Sequence, residues 1–146
     1  MNHPPAPLPV SAVALDLDGT MLDTAGDIAG GIDATLAALG QKPLGEAVIR
    51  RYIGQGVIHL LKSAWGASTG RDPTEAELLE GQAVFTREYQ ACLTRTTTFY
   101  PGAREGIQTL HAAGFTLACV TNKPARFTDP LLEAMGLTSY FALVIS

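Results

Sequence analysis

Residues Asp16-Leu17-Asp18-Gly19-Thr20 set two carboxylates two positions apart, directly after the apolar run Ser11-Ala12-Val13-Ala14-Leu15. The run predicts a buried strand over Ala12–Leu17. Alternation along such a strand puts Asp16 and Asp18 on one face, with Leu17 between them. Open α/β sheets bind ligands at the carboxyl ends of their strands. Two acids at that edge suit a hard, oxygen-seeking cation and phosphoryl chemistry, and both become candidate metal ligands. An Asp-Gly turn closing a strand is the plain structural alternative, and it leaves the shared face of the two acids without a reason.

A second constellation lies a hundred residues on, at Leu117-Ala118-Cys119-Val120-Thr121-Asn122-Lys123-Pro124. Here an apolar strand runs into a helix start. A hydroxyl at a strand end, followed by the N–H groups of a helix N-terminus, suits a phosphate oxygen. Thr121 is the candidate anchor, and Asn122 adds donors. Lys123 either touches substrate or only flanks the helix. Between the two constellations, Tyr52-Ile53-Gly54-Gln55-Gly56 carries two glycines, which permit close backbone approach and also suit an ordinary loop between helices. Arg50 and Arg51 are nearby cations that could meet a substrate carboxylate, although solvated surface arginines are the commoner case. His59 and His111 fall in helical patterns and read as packing or surface residues.

The elements that must position these groups follow from periodicity. Ile28, Ile32, Leu36 and Leu39 recur at helical spacing, and Gly40 is a stop. Val57, Leu60, Leu61, Ala64 and Trp65 make a second stripe, closed by Gly66. Asp72-Pro73-Thr74 with Glu75 and Glu77 starts a third helix, continued by Leu78, Leu79, Gln82, Phe85, Tyr89 and Cys92. After Tyr100-Pro101-Gly102 come a helix over Ala103–Ala113, a strand over Phe115–Val120, a helix over Pro124–Met135 and a strand over Phe141–Ile145. Strands alternating with helices imply an α/β fold with a parallel sheet. The expected organisation is a flexible Pro-rich tail over 1–10, a three-stranded Rossmann-like α/β core from 11–23 and 99–146, and an all-helical insertion over 24–98.

Composition narrows the function classes. The chain has 146 residues, of which 47% are hydrophobic and 16% charged, enough for one domain with a real core. Its net charge of −4 argues against nucleic-acid and anionic-membrane surfaces. No apolar run reaches the length of a membrane span. The N-terminal stretch has four prolines and no basic region of the signal-peptide type. Cys92 and Cys119 lack metal-type spacing and read as reduced thiols of a cytoplasmic protein.

The stretch Leu15-Asp16-Leu17-Asp18-Gly19-Thr20-Met21-Leu22-Asp23 resembles the first motif of the haloacid dehalogenase superfamily, and its phosphoglycolate phosphatase branch in particular. The stretch ending Thr121-Asn122-Lys123-Pro124 resembles the second. The resemblance implies that Asp16 attacks phosphorus and becomes an aspartyl phosphate. Asp18 then serves as general acid for the leaving group and general base for water. It further implies Mg²⁺ as cofactor, Gly19 and Thr20 beside the phosphate, Thr121 as phosphate anchor, and a helical cap whose Gly54–Gly56 loop reaches the substrate. An acid at Asp18 favours phosphate over halide chemistry. The implied partner is a small phosphorylated metabolite, 2-phosphoglycolate first.

The family pattern also holds a lysine after the third strand and an acidic pair after a fourth. The chain has no matching residues; Asp129 and Glu133 fall in a helix. The expectation is therefore a truncated product of a longer phosphatase, with weak Mg²⁺ binding and a bare terminal strand that invites self-association. Three alternatives stand beside the phosphatase: a phosphosugar mutase of the same superfamily, a catalytically inactive fragment, and, from another class, a receiver-type signalling domain.

Overall fold

The computed structural model describes residues 9–146; the expected flexible tail lies, up to Leu8, outside the described residues. In chain order the elements are β1 (Ala12–Leu15), β2 (Leu22–Asp23), α1 (Ala25–Ala38), α2 (Glu46–Ile49), α3 (Val57–Thr69), α4 (Glu75–Gln90), β3 (Thr98–Phe99), α5 (Ala103–Ala112), β4 (Thr116–Val120), α6 (Ala125–Ala134) and β5 (Leu143–Ile145). β1, β4 and β5 form a parallel sheet in that order, with Leu15 beside Cys119 and Cys119 beside Val144. The α/β class with three parallel strands matches the expectation.

The first strand is shorter than expected. It ends at Leu15 because Leu17, fully buried, turns its carbonyl to the N–H groups of Thr20, Met21 and Leu22 at 3.4, 3.1 and 3.1 Å. That knot lifts the chain out of the ladder. Asp16 and Asp18 therefore sit in a loop wrapped around Leu17, not on a pleated face. The sheet is also covered on one side only. Val13, Leu15, Leu117, Cys119 and Val144 join the core with Ile107 of α5 and Phe127 and Leu131 of α6. The opposite face leaves Val120 41%, Leu143 54% and Ile145 51% exposed. β1 and β5 are thus half-buried strands, and each is an edge among the described residues. The last strand keeps only Leu143–Ile145 of the expected Phe141–Ile145.

The segment expected to be wholly helical begins and ends at a short antiparallel pair, β2 with β3, in which Leu22 faces Phe99 and Asp23 faces Thr98. Thr98 is therefore strand. Within the insertion, α3 runs past Gly66 to Thr69, and Gly70 ends it; one interior glycine weakens a helix by only about 1 kcal/mol. α4 starts at the expected place. Thr74 accepts from the Glu77 N–H at 3.2 Å, and the Glu77 carboxylate accepts from the Thr74 N–H at 2.8 Å, a reciprocal cap. It stops at Gln90, with Cys92 in the turn beyond. α2 and the following 3₁₀ turn Arg50–Tyr52 had no periodic signal. α1 and α4 lie against each other at Gly31, where a Cβ would stand 3.0 Å from the Tyr89 Cβ and 3.2 Å from the Phe85 ring.

Asp27 closes the base of the insertion. Its carboxylate, 2% exposed, accepts the N–H and hydroxyl of Thr96 at 2.8 and 2.7 Å and those of Thr97 at 2.9 and 2.7 Å. The first turn of α1 is thereby fastened to the strand that returns to the sheet. Among the described residues no helix is long and apolar enough to cross a membrane, and both cysteines are free. Replacing Asp27 by Ala strands four donors in the interior. Urea unfolding should show a loss of about 3 kcal/mol or more, against a few tenths for an exposed control such as Asp129→Ala.

Candidate active site

Each functional side chain is placed by a local device. Asp16 leaves the end of β1, and its carboxylate accepts the Thr20 hydroxyl at 3.3 Å. Asp18 is carried by the Leu17 knot and braced by an isolated bridge to Leu22. Its carboxylate accepts the Thr24 hydroxyl at 2.7 Å, and the Lys123 ammonium spans both of its oxygens at 3.0 and 3.1 Å. Thr24 is the residue before α1, so the acid, the start of the insertion and the loop after β4 meet at one carboxylate.

The loop after β4 uses its backbone donors internally. The Thr121 N–H donates to the Ile145 carbonyl at 2.9 Å, and the Lys123 N–H to the Thr121 oxygen at 3.1 Å. The Thr121 and Lys123 N–H groups are therefore taken, whereas the Asn122 N–H meets no acceptor among the described residues. What Thr121 offers is its hydroxyl, whose oxygen already accepts a bond and whose O–H remains to donate. Asn122 donates from its side chain to the Gly54 carbonyl at 2.8 Å, across the cleft to the insertion. Lys123 is buried, with its ammonium 4.9 Å from the centre of the Tyr89 ring. Burial pushes its pKa down, and the Asp18 carboxylate pulls the other way.

Asp16, Asp18, Gly54, Gly56, Thr121, Asn122 and Lys123 line one cleft of about 480 Å³. Two expected residues stand aside. Gly19 lines a neighbouring hollow with Asp18, Thr24, Arg50 and Tyr100, and Thr20 touches the site only through Asp16. The two loop glycines are not required by neighbouring protein atoms. A Cβ at Gly54 would meet nothing within 4 Å, and one at Gly56 only the Asn122 carbonyl at 3.8 Å. Their φ angles of +111° and +85° are the reason for glycine. Arg50 is a surface residue, as the commoner reading has it, but is engaged: it pairs with Asp23 at 3.1 Å and Glu46 at 2.7 Å, and those carboxylates raise its pKa. His59 meets Ser63 at 3.4 Å, and His111 stands edge-on to Tyr140 at 5.2 Å.

The rest of the cleft is apolar, with Ile28, Ile53, Val57, Phe85, Tyr89 and Phe127 in its wall. Sequence periodicity assigned Ile28, Val57, Phe85 and Tyr89 to packing stripes, and nothing in their spacing distinguishes a cavity wall from packing. Cys119 lies behind the acids. Burial, with Asp16 and Asp18 adding to it, pushes its thiol up to about 11, so it stays protonated and takes no nucleophilic role. Among the described residues no three metal-ligating side chains converge. Asp16, with no cationic partner among the described residues, is the group best placed to hold a hard cation; such ions often take one carboxylate and complete their shell from phosphate and water.

Residues 10–146 match the haloacid dehalogenase-like hydrolase family. The chain is 44% identical over 140 residues to a phosphoglycolate phosphatase of Nitrosospira multiformis, covering 96% of this chain and 62% of that protein. It is 37% identical, with the same coverages, to one of Thiobacillus denitrificans. Its structure resembles a crystal structure of a predicted phosphoglycolate phosphatase from Haemophilus somnus with a TM-score of 0.87 and 28% identity, over 93% of this chain and 62% of that one. The chain thus spans a little under two thirds of the length of these relatives.

The Asn122 bond to Gly54 is a single exposed tie between the two sides of the cleft. Asn122→Ala should lower global stability by no more than about 1 kcal/mol. It should also speed amide hydrogen exchange at residues 54–57 by roughly an order of magnitude, with amides inside α6 unaffected.

Proposed function

The chain belongs to the haloacid dehalogenase-like hydrolase family, and on that premise we propose that it is a Mg²⁺-dependent phosphomonoester hydrolase, with 2-phosphoglycolate as substrate and an aspartyl phosphate as intermediate. The observation that carries this is the unequal treatment of two neighbouring acids. Asp16 faces the cleft with no cation on it, while Asp18 is held by Lys123 and Thr24. One carboxylate is left to attack and the other is oriented to move a proton.

In the first half-reaction an Asp16 oxygen bonds to phosphorus as the ester P–O bond breaks, and Asp18, protonated, passes its proton to the departing alkoxide. In the second, Asp18 takes a proton from water, and the resulting hydroxide displaces the Asp16 carboxylate to release phosphate. The present contacts of Asp18 with ammonium and hydroxyl suit this second step. Thr121 has a hydroxyl proton to give to a phosphate oxygen, and Asn122 and Lys123 stand beside it. Asp16 and the backbone of the Asp18 loop would hold Mg²⁺, which when bound would supply neutralisation of phosphate charge. The insertion over 24–98 acts as a cap: its Gly54–Gly56 loop closes the cleft opposite Thr121 and excludes water. The named activities of the two curated relatives support the substrate. The free thiols Cys92 and Cys119 accord with a reducing cytoplasm.

Phosphate release from 2-phosphoglycolate and a panel of other phosphomonoesters should depend on Mg²⁺ and vanish with a chelator. Asp16→Asn should abolish it, by about 10³-fold or more. Release that survives in Asp16→Asn would falsify the nucleophile assignment, and no release from any ester would favour the inactive alternative.

A further inference from the structure

Tyr89 is 1% exposed, and among the described residues its hydroxyl has no hydrogen-bond partner. A buried hydroxyl left unpaired is unfavourable, and folded proteins seldom keep one without a use. The ring itself is fixed: it stacks on Phe85 at 5.2 Å and meets Phe127 edge-on at 4.9 Å, with the Lys123 ammonium 4.9 Å from its centre. A phenylalanine would fill that space equally well, so packing gives no reason for the oxygen.

The position of Tyr89 gives one. It lines the cleft that holds Asp16, Asp18 and Thr121. Burial raises its pKa, and Asp18 is the strongest charge acting on it. The group is a neutral O–H donor on the side of the catalytic pair. The other unpaired donor, Trp65 Nε1, lies in an apolar hollow between α1, α3 and α4, away from that cleft. Lys123 supplies a second open donor: its ammonium carries three N–H groups, and Asp18 offers it two oxygens. Neutralising Asp18, it also makes the wall tolerant of a further anion.

We propose that the Tyr89 hydroxyl donates a hydrogen bond to a carboxylate oxygen on the leaving group of the substrate, and so selects phosphate esters of small hydroxy acids. This deepens the phosphatase assignment and rests on it. The phosphate end is held by Asp16, Thr121 and the metal, whatever the ester; the remote end is read by a phenol that the fold leaves without an acceptor.

Tyr89→Phe removes the one atom in question. Calorimetric titration of the 146-residue chain and of this variant, with Mg²⁺ present, would use two ligands: 2-phosphoglycolate and ethyl phosphate, which has the same two carbons but no carboxylate. The variant should bind 2-phosphoglycolate at least about tenfold more weakly and ethyl phosphate within about twofold of the parent. Its melting temperature should hold or rise, since no native bond is lost. Equal weakening of both ligands, or no weakening, overturns the proposal; a lowered melting temperature together with equal weakening assigns the hydroxyl to a structural water instead. If the parent chain binds neither ester, the phosphatase assignment fails and Tyr89 falls with it; if the parent binds and the variant is unchanged, only Tyr89 falls.

Discussion

A buried ammonium faces a carboxylate at the centre of this molecule. Lys123 comes from the loop after β4, and Asp18 from the loop after β1; Thr24, at the start of α1, holds the same carboxylate from the other side. Three stretches distant in sequence are joined by one pair of charges. Neither charge is tenable alone, since a desolvated ion without its partner destabilises a fold by several kcal/mol. The pair therefore serves two ends: it fixes how the loops approach, and it fixes which of the two neighbouring acids is neutralised. Asp16, among the described residues, is left without an ion pair by its neighbour's engagement, not by any feature of its own.

Around this pair the helical insertion is attached through very little material. β2 and β3 are two residues each, and the Asp27 clamp gathers Thr96 and Thr97 onto the first turn of α1. Across the cleft the polar links are few, Asn122 to Gly54 and Arg50 to Asp23, beside the packing of Phe85 and Tyr89 on Phe127. A tight, many-bonded base and sparse ties at the mouth favour motion of the insertion as one body about its base, which is what a cleft that admits a substrate and then excludes water needs.

Much of this was legible in the sequence. The acid pair, the Thr121-Asn122-Lys123 turn and the two loop glycines all converge, because each sits where a strand or helix must end, and ends are marked by residue type. The capped start of α4 was legible for the same reason. The partners chosen across space were not. Lys123 gave no sign that it would reach Asp18, 105 positions earlier, and Asp27 looked like one more acid at a helix start. Leu17 read as the last residue of a strand; only the closing of three N–H groups on its carbonyl shows that the strand had already stopped. Tyr89 was legible as apolar and wrongly complete as such, since periodicity counts the ring and ignores the oxygen.

β1, which ends beside Asp16, has among the described residues a hydrogen-bonded neighbour on one side only and an uncovered second face. In-line attack tolerates errors of a fraction of an ångström. A strand anchored along one margin vibrates with larger amplitude than one clamped along both. The aim of Asp16 must then come mainly from the Leu17 knot and the Thr20 hydroxyl, which grip it from the loop side. The placement of Asp16 in this fold is set by a short coil of backbone more than by the stiffness of the sheet.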